Sequence, residues 1–425
     1  MKKALALFIL IAMFLTFLPL VSFAEPLEIK MYYPVQVAGS MATIIDGLCA
    51  EFNEEHEDIH VEAIYAGDYT QCLQRVLTAS NAGNPADIAL INGFGVWSAV
   101  DENAIMCLDE FVEAEGGEAF SGQFWPAYWN DCCINGNCYA IPFQKSVPLF
   151  YYNKDMFEEA GLDPDNPPRT WDELKAACEV LTQKDEKGNT TRWGVCIPTG
   201  DSWQFSYFSV LNGAVMANED GTEIYLDTPE SLEAMEYIKS LVDAGYTPAS
   251  QSYGDASSDF VSGSAAMMFH SSGNLTFCRT TAPFDWGTAL LPYNTTPTGI
   301  TGGGQLVIMQ GIPEENQKAA WEFIKWMTTP ERAAQWCIDT GYVATRPDAF
   351  ETDIMKEYIL EFPQIETCRE ALGISVSETP MTHEGAQMVT IMTDTMVGIM
   401  SGKIGAKEGL ENAQAEADKI LEKWQ

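Results

Sequence analysis

The segment Leu27-Glu28-Ile29-Lys30-Met31-Tyr32-Tyr33 predicts a β-strand near the start of the chain, because apolar and aromatic residues dominate it. After it, apolar residues recur at spacings of three and four over 41–52, which is typical of a helix. Strand and helix signals continue to alternate, with a strand over 60–65, a helix over 69–79 and a strand over 87–91. This alternation predicts an open α/β lobe with helices on both faces of its sheet.

The ends of these strands are the expected place for a ligand. Open α/β sheets bind their ligands outside the carboxyl ends of the strands. Here those ends are Tyr33-Pro34, the segment 66–69 and Asn92-Gly93.

The rest of the sequence predicts a second, more helical lobe. Thr170-Trp171-Asp172-Glu173 has the pattern of a capping box, and Thr228-Pro229 begins another helix. A last amphipathic helix is predicted from about Ala406. Since no internal repeat or long linker divides the chain, we expect one compact body of two interleaved lobes.

The first 24 residues have the layout of a secretory signal peptide. Lys2 and Lys3 precede an apolar run over 4–21, and Ser22-Phe23-Ala24 follows as a small-x-small cleavage pattern. An uncleaved anchor helix is the alternative, because the run is long enough to span a bilayer. The cleavage pattern favours a mature, secreted chain that starts at Glu25, and the absence of a cysteine there indicates no lipid anchor.

The charge of the chain excludes several classes of partner. The 425 residues include 23 Lys and Arg against 61 Asp and Glu, a net charge of −38. Removal of residues 1–24 takes away Lys2 and Lys3, which leaves a net charge of −40. Such a surface repels nucleic acid and anionic lipid, and it opposes the approach of anionic ligands.

Eleven cysteines in a secreted chain suggest disulfides. Cys132, Cys133 and Cys138 bracket the turn signal Asn135-Gly136, so a hairpin disulfide is expected there. Cys178 and Cys196 flank a predicted helix and the strand after it, and are a second candidate pair. Metal ligation is the competing interpretation, but no C-x-x-C pair repeats and no histidine lies nearby.

Two further motifs each allow two interpretations. His56-Glu57-Asp58-Ile59-His60 matches the H-E-x-x-H signature of zinc hydrolases, which requires both histidines on one helix. The helical pattern stops near Phe52, so we expect a helix-to-strand turn and disfavour the hydrolase. Gly302-Gly303-Gly304 predicts either a simple turn or a place where the backbone approaches a ligand or forms a hinge.

The sequence also resembles a known family. The segments PFQKSVPLFYYNKD (142–155), AGLD (160–163) and PPRTW (167–171) are similar to family-1 extracellular solute-binding proteins of ABC importers. Further similar stretches are AAM (265–267), SSG (271–273), GG (302–303), VIMQG (307–311) and TGY (340–342). The similarity runs from about Leu27 to the last helix and is greatest to members that bind sn-glycerol 3-phosphate.

The resemblance implies a type II periplasmic-binding-protein fold, with a ligand cleft between two lobes joined by a multi-crossover hinge. It implies an N-terminal lobe over 25–144 and 305–343, and a C-terminal lobe over 145–304 and 344–425. It also implies a monomeric periplasmic receptor, neither an enzyme nor cofactor-dependent, that passes a carbohydrate, polyol or glycerol phosphate to permease subunits. The implied ligand contacts are Tyr69, Ser146, Trp203, Ser271, Gly303 and Tyr342, with the hydroxyls of Tyr69 and Tyr342 on opposite sides of the cleft.

Two positions depart from the family pattern. Gly93 stands where an acidic residue contacts the glycerol group, and no arginine stands in the segment 381–383, where one pairs with phosphate. His383, Lys145 and Arg346 are the candidate replacement cations. Because a desolvated phosphate needs charge-assisted donors, these departures favour a ligand that is uncharged at the phosphate position.

Overall fold

Two five-stranded sheets form the framework of the protein. The computed structural model describes residues 25–35 and 40–425. In the first sheet, β1 (Leu27–Tyr33) pairs in parallel with β2 (Ile59–Tyr65) and β3 (Ile88–Asn92). β13 (Gly302–Ile308) pairs antiparallel with both β3 and β6 (Ile141–Ser146), which gives the order β2-β1-β3-β13-β6.

The second sheet has the order β11-β7-β10-β9-β8 and mixes parallel and antiparallel pairs. Its strands are β7 (Pro148–Asn153), β8 (Gln183–Lys184), β9 (Thr190–Cys196), β10 (Ala265–Ser271) and β11 (Trp286–Ala289). Two short ladders join β4 (Cys133–Ile134) to β5 (Asn137–Cys138) and β12 (Gly299–Ile300) to β14 (Ser375–Val376).

Helices cover both sheets. Those between Met41 and Asn130, with one later helix, belong mainly to the first lobe: Met41–Glu55, Tyr69–Asn81, Gly93–Asp101, Asp109–Ala114, Glu118–Ser121, Pro126–Asn130 and Glu314–Met327. The helix Pro330–Thr340 packs between the lobes, with Trp336 in the core of the first and Ala333, Ala334 and Cys337 in a core of the second. The others surround the second sheet: Lys154–Glu159, Trp171–Leu181, Ser202–Leu211, Pro229–Asp243, Tyr253–Val261, Leu275–Thr281, Asp353–Glu361, Gln364–Ile374, Gly385–Met400 and Ala406–Leu421. Short 3₁₀ turns are Ser272–Asn274, Pro347–Glu351 and Glu422–Trp424.

The chain passes between the sheets at adjacent points. β6 ends at Ser146 and β7 begins at Pro148, while Thr301 alone separates β12 from β13. A third segment, residues 377–384, returns from the second lobe along the first, where its Ser377 hydroxyl donates to the Ala127 carbonyl. The hinge is therefore built from several chain segments that lie side by side.

One buried carboxylate joins these segments. Asp131 Oδ2 accepts from Lys145 Nζ at 2.7 Å and from Thr301 Oγ1 at 2.6 Å, while Oδ1 accepts from the Glu378 backbone N–H at 2.9 Å. Burial disfavours the charged ammonium of Lys145, but attraction to Asp131 and Glu378 outweighs it and the pKa of Lys145 is raised. We call the group Asp131, Lys145, Thr301 and the Glu378 backbone N–H the hinge network.

The cysteine expectations have a mixed outcome. All eleven cysteines are free thiols in the structure, so the expected hairpin disulfide is not formed there. Cys133 does lie opposite Cys138 in the β4–β5 ladder, and a disulfide between these two stays a prediction. The suggested pair of Cys178 with Cys196 is wrong. Cys178 lies in the helix Trp171–Leu181 and Cys196 at the end of β9, and the two free thiols pack in different core clusters.

The two-lobed α/β fold is confirmed, with each sheet carrying its own core. The signal peptide prediction lies outside the described residues. Within the described ranges, no helix combines the length and the apolar composition that crossing a bilayer requires. The lobe boundaries stay a prediction, although the break from β6 to β7 lies two residues beyond the predicted change of lobe at 145.

Candidate functional site

A cavity of about 270 Å³ lies where the carboxyl ends of the first sheet face the second lobe. All six residues predicted as ligand contacts line this one cavity: Tyr69, Ser146, Trp203, Ser271, Gly303 and Tyr342. A larger depression of about 720 Å³ is lined by the loop around 163–169 and by the edge strand β11 of the second sheet, and none of the six lies there. Their contact with a ligand stays a prediction, but the fold brings them together.

The first wall comes from residues that follow β2 and β3. Asp68 accepts from the Gln71 backbone N–H at 2.8 Å and closes a capping box, which fixes the helix that Tyr69 begins. Asn92 caps the next helix in the same way by accepting from the Gly95 N–H at 3.0 Å. These are the strand ends at which the sequence predicted the site.

The two tyrosine hydroxyls are neighbours on this wall. Gln144 Nε2 donates to the Tyr69 hydroxyl at 2.7 Å and to the Tyr342 hydroxyl at 3.4 Å. The prediction that Tyr69 and Tyr342 face each other across the cleft is therefore wrong. The reason is that Tyr342, which follows the helix ending at Thr340, packs in the core of the first lobe.

The floor of the cavity is the strand pair at the hinge. Gly302 lies opposite Ser146 and Gly303 opposite Lys145, with a bulge at Gly304. Gly303 has φ +91°, and a Cβ there would lie 2.0 Å from the Gln144 carbonyl oxygen, so only glycine fits. The glycine triplet is thus the start of a strand that closely approaches its neighbour, and the simple-turn interpretation is wrong.

The second lobe supplies an aromatic wall. Asp201 accepts from the Trp203 backbone N–H at 2.8 Å and begins the helix that carries this tryptophan. The indole Nε1 donates to the Thr301 carbonyl at 3.1 Å, so Trp203 has its ring, and not its N–H, to offer a ligand. Tyr253 stands beside it, held by Gln204 at 3.0 Å, and Ser271 Oγ accepts from the Gly273 N–H at 3.1 Å.

In the described part of the chain, acidic side chains line the cavity and basic ones do not. Asp68, Asp201 and Glu378 line it, and no lysine, arginine or histidine among the described residues does. Burial raises the pKa of Glu378 to about 8; Lys145 opposes this rise, while Asp131 and Asp201 add to it. Burial also raises the pKa of Asp201, against the hydrogen bond from Trp203, and repulsion from Asp68 adds to that rise.

None of the candidate replacement cations reaches the cavity. His383 Nδ1 lies 2.6 Å from an Asp101 oxygen, and its ring stacks on Trp424 at a centroid distance of 3.8 Å. Lys145 is bound to Asp131 within the hinge network. Arg346 is paired with Asp348 at 2.7 Å. None of these three candidates therefore stands in for the missing arginine at the cavity, because each is held by its own carboxylate.

Sequence reasoning missed Glu378, which reaches the cavity from the third hinge segment. Its Oε2 accepts from the Gly93 N–H at 3.3 Å, and a Cβ built on Gly93 would lie 2.7 Å from that oxygen. A carboxyl group is therefore present beside residue 93, although it comes from another part of the chain. The pairing joins residues 285 positions apart, and no local pattern marks it.

The H-E-x-x-H motif does not form a helical pair. The preceding helix ends at Glu55, His56 follows it and stacks on Phe52 at 3.9 Å, and His60 lies in β2. This confirms the predicted turn. No group of three His, Cys, Asp or Glu side chains converges as metal ligands in the ranges 25–35 and 40–425.

Known proteins with similar sequences are solute-binding proteins. Two relatives are the sn-glycerol-3-phosphate-binding periplasmic proteins UgpB of Salmonella typhimurium and Escherichia coli K12. They are 27% identical over 416 residues and 26% identical over 408 residues, and each alignment covers 91% of both chains.

Solved structures agree on the fold. UgpB of Mycobacterium tuberculosis, in complex with glycerophosphocholine, has a TM-score of 0.82 at 23% identity and covers 94% of this chain and 99% of its own. Lmo0181 of Listeria monocytogenes, in complex with cycloalternan, has a TM-score of 0.81 at 21% identity and covers 93% of this chain and 99% of its own. A family model described as bacterial extracellular solute-binding protein matches residues 47–363. The chain belongs to this family of bacterial extracellular solute-binding proteins.

Proposed function

We propose that this chain is the solute-binding receptor of an ABC importer and captures a small polyhydroxylated solute between its lobes. The observation that carries the proposal is the cavity at the hinge, where the six predicted contacts meet. It has the features of a small-molecule site, namely aromatic walls, a few convergent polar groups and a position between two lobes. The family of its relatives supports the same role.

The solute class follows from the charges of the cavity. A phosphate group taken out of water requires cationic donors, and loss of such a partner costs about 2–5 kcal/mol. The described cavity offers three carboxyls instead, and the helix N-termini that open on it are already capped by Asp68, Asn92 and Asp201. We therefore favour a sugar or polyol that is not an anion over glycerol 3-phosphate.

Capture is by lobe closure in this proposal. Tyr69 and Tyr342 belong to the first lobe, Trp203 and Ser271 to the second, and Ser146 and Gly303 to the hinge strands between them. A solute that contacts both walls stabilises the closed arrangement, because its binding free energy differs between open and closed states. The lobes are those of residues 25–144 with 305–343, and 145–304 with 344–425.

Delivery completes the proposed role. The signal peptide over 1–24 directs the chain to the periplasm, where it acts as a soluble monomer without cofactor or enzymatic activity. The closed form then docks on the permease subunits in the membrane. Fractionation of cells and N-terminal sequencing of the mature protein test this part, and a mature chain that starts at Glu25 is expected.

A binding screen tests the receptor itself. Purified protein is screened by thermal shift, then by calorimetry, against sugars, polyols and glycerol 3-phosphate at low and high salt. We expect a non-anionic solute to bind, and Trp203→Leu to weaken it about tenfold or more through loss of ring contact. Trp326→Leu is the matched control, because Trp326 lies outside the cavity and donates to Glu55. Absence of any hit contradicts the receptor role, and tight glycerol 3-phosphate binding contradicts the solute class.

A further inference from the structure

Each of the three cavity carboxyls keeps an oxygen without a hydrogen-bond partner among the described residues. Asp68 and Asp201 each use Oδ1 to cap a helix, and Glu378 uses Oε2 to accept from the Gly93 N–H. Glu378 is only 5% exposed, and it borders the cavity. Among the described residues, Glu378 Oε1 is not one of the fully enclosed polar atoms that lack a partner, so this oxygen is open to the cavity and available to a group from outside the chain.

These carboxyls also repel one another. Asp201 is affected by the charge of Asp68, and Glu378 by the charges of Asp131 and Asp201. Lys145 is the cation that faces Glu378, and it is already bound to Asp131 at 2.7 Å. The three carboxyls therefore cannot all ionise in the empty cavity without mutual repulsion, and no described side chain along it supplies a cation to offset that repulsion.

The occupant that relieves this repulsion is an organic cation. A metal ion does not fit, because no three potential ligands converge in the described part of the chain. The rings of Phe94, Tyr69, Trp203, Tyr253 and Tyr342 border the same cavity, and aromatic rings attract an ammonium group as well as the C–H faces of a sugar.

We propose that the solute is a sugar or polyol that carries an ammonium group, and that this group binds Glu378 Oε1. The inference rests on the proposed function and narrows its solute class. Glu378 is the specificity-determining residue in this account, and Asp201 and Asp68 add long-range attraction. Lys145, Asp131 and Asp201 are the charged groups that face Glu378, with the Tyr69 hydroxyl nearby.

A proton balance follows from this contact. At neutral pH the buried carboxyl of Glu378 is mostly protonated before binding, since its pKa is raised to about 8. An ammonium group binds the ionised form, so capture releases a proton to solvent, and the affinity increases with pH for as long as the amine of the solute stays protonated. A neutral sugar whose hydroxyl merely accepts from the protonated acid releases none.

The test is a panel of matched probes measured by calorimetry. Glucose, glucosamine and N-acetylglucosamine form one trio, and the corresponding galactose and mannose derivatives form two more. Each is titrated in two buffers of different ionisation heat, which counts the protons released. We expect an ammonium form to bind at least tenfold more tightly than its hydroxyl and acetylated partners, with proton release. Glu378→Gln abolishes this preference, while Glu54→Gln, on an exposed helix face, retains it.

The outcomes separate the two proposals. If a hydroxyl or acetylated form binds as tightly as its ammonium partner, the inference is overturned and the receptor role stands. If Glu378→Gln keeps the ammonium preference, Glu378 is not the contact. If no member of any trio binds, and the wider screen of sugars and polyols is also negative, the proposed function fails. Asp201→Asn serves as a second variant, with a smaller expected loss of preference, should Glu378→Gln fold poorly.

Discussion

The buried carboxyl of Glu378 makes the stability of the empty protein depend on pH in a defined window. Its pKa is about 8 in the folded protein and 4.5 is its ordinary value. Between these values the unfolded chain has lost the proton and the folded chain still holds it. The stability that this group contributes is therefore full below pH 4.5, falls through the window and is lost above about pH 8.

Glu378→Gln removes this titration while keeping the size and the acceptor oxygen of the side chain. At roughly 1.4 kcal/mol per pH unit, the window corresponds to about 5 kcal/mol. The free energy of unfolding of the variant, minus that of the wild type, should therefore rise by about this amount between pH 4.5 and pH 8 and then level off.

Urea unfolding of both proteins at intervals from about pH 5 to pH 9, without ligand, measures this difference. Glu54→Gln is the matched control, because its carboxyl lies on an exposed helix face. A difference that stays flat across the range would refute the reasoning, since it would mean that burial in the hinge region does not hold a proton on Glu378.

Three further predictions concern the hinge and the tyrosines. Gly303→Ala should cost more than about 2 kcal/mol of unfolding free energy, because φ is +91° and the Cβ meets a carbonyl oxygen; an unchanged melting temperature would contradict this. Lys145→Met should cost about 3–5 kcal/mol by leaving Asp131 charged and unpaired, and adding Asp131→Asn should restore part of the loss in urea titrations. Tyr69→Phe or Tyr342→Phe should weaken solute binding tenfold or less, about 0.5–1.5 kcal/mol. The melting temperature of the apo protein should be nearly unchanged, because the Gln144 side-chain amide still donates to the remaining tyrosine hydroxyl. Unaltered affinity in both variants would show that the two tyrosine hydroxyls do not contact the solute.

Periodicity predicted the first lobe well. The strand over 27–33 forms with those bounds, and the predicted helix over 41–52 and strand over 60–65 become Met41–Glu55 and Ile59–Tyr65. The capping box at Thr170 and the last helix from Ala406 also form as predicted. Each of these signals is local, because the residues that satisfy one another lie within a few positions of the sequence.

The site could be predicted only where its residues follow recognisable elements or match the family. Tyr69 follows a strand end, whereas Glu378 lies in a segment without helix or strand and acts through contacts with residues far away in sequence. The relative position of Tyr69 and Tyr342 was predicted wrongly for the same reason, since it depends on how the helix ending at Thr340 packs. Long-range packing leaves no periodic signal in the chain.

The hinge network has a consequence for how this receptor changes its ligand over evolutionary time. Glu378 contributes its backbone N–H to Asp131 and its side chain to the cavity. Any amino acid other than proline supplies that N–H. A substitution at position 378 therefore alters the chemistry of the cavity while the hinge network keeps its hydrogen bonds. Because Asp131 and Lys145 are fully buried, dissolved salt scarcely weakens the ion pair at the centre of the hinge network. Substitutions at residue 378 can therefore change which solute the protein binds during evolution while the hinge between its lobes stays the same.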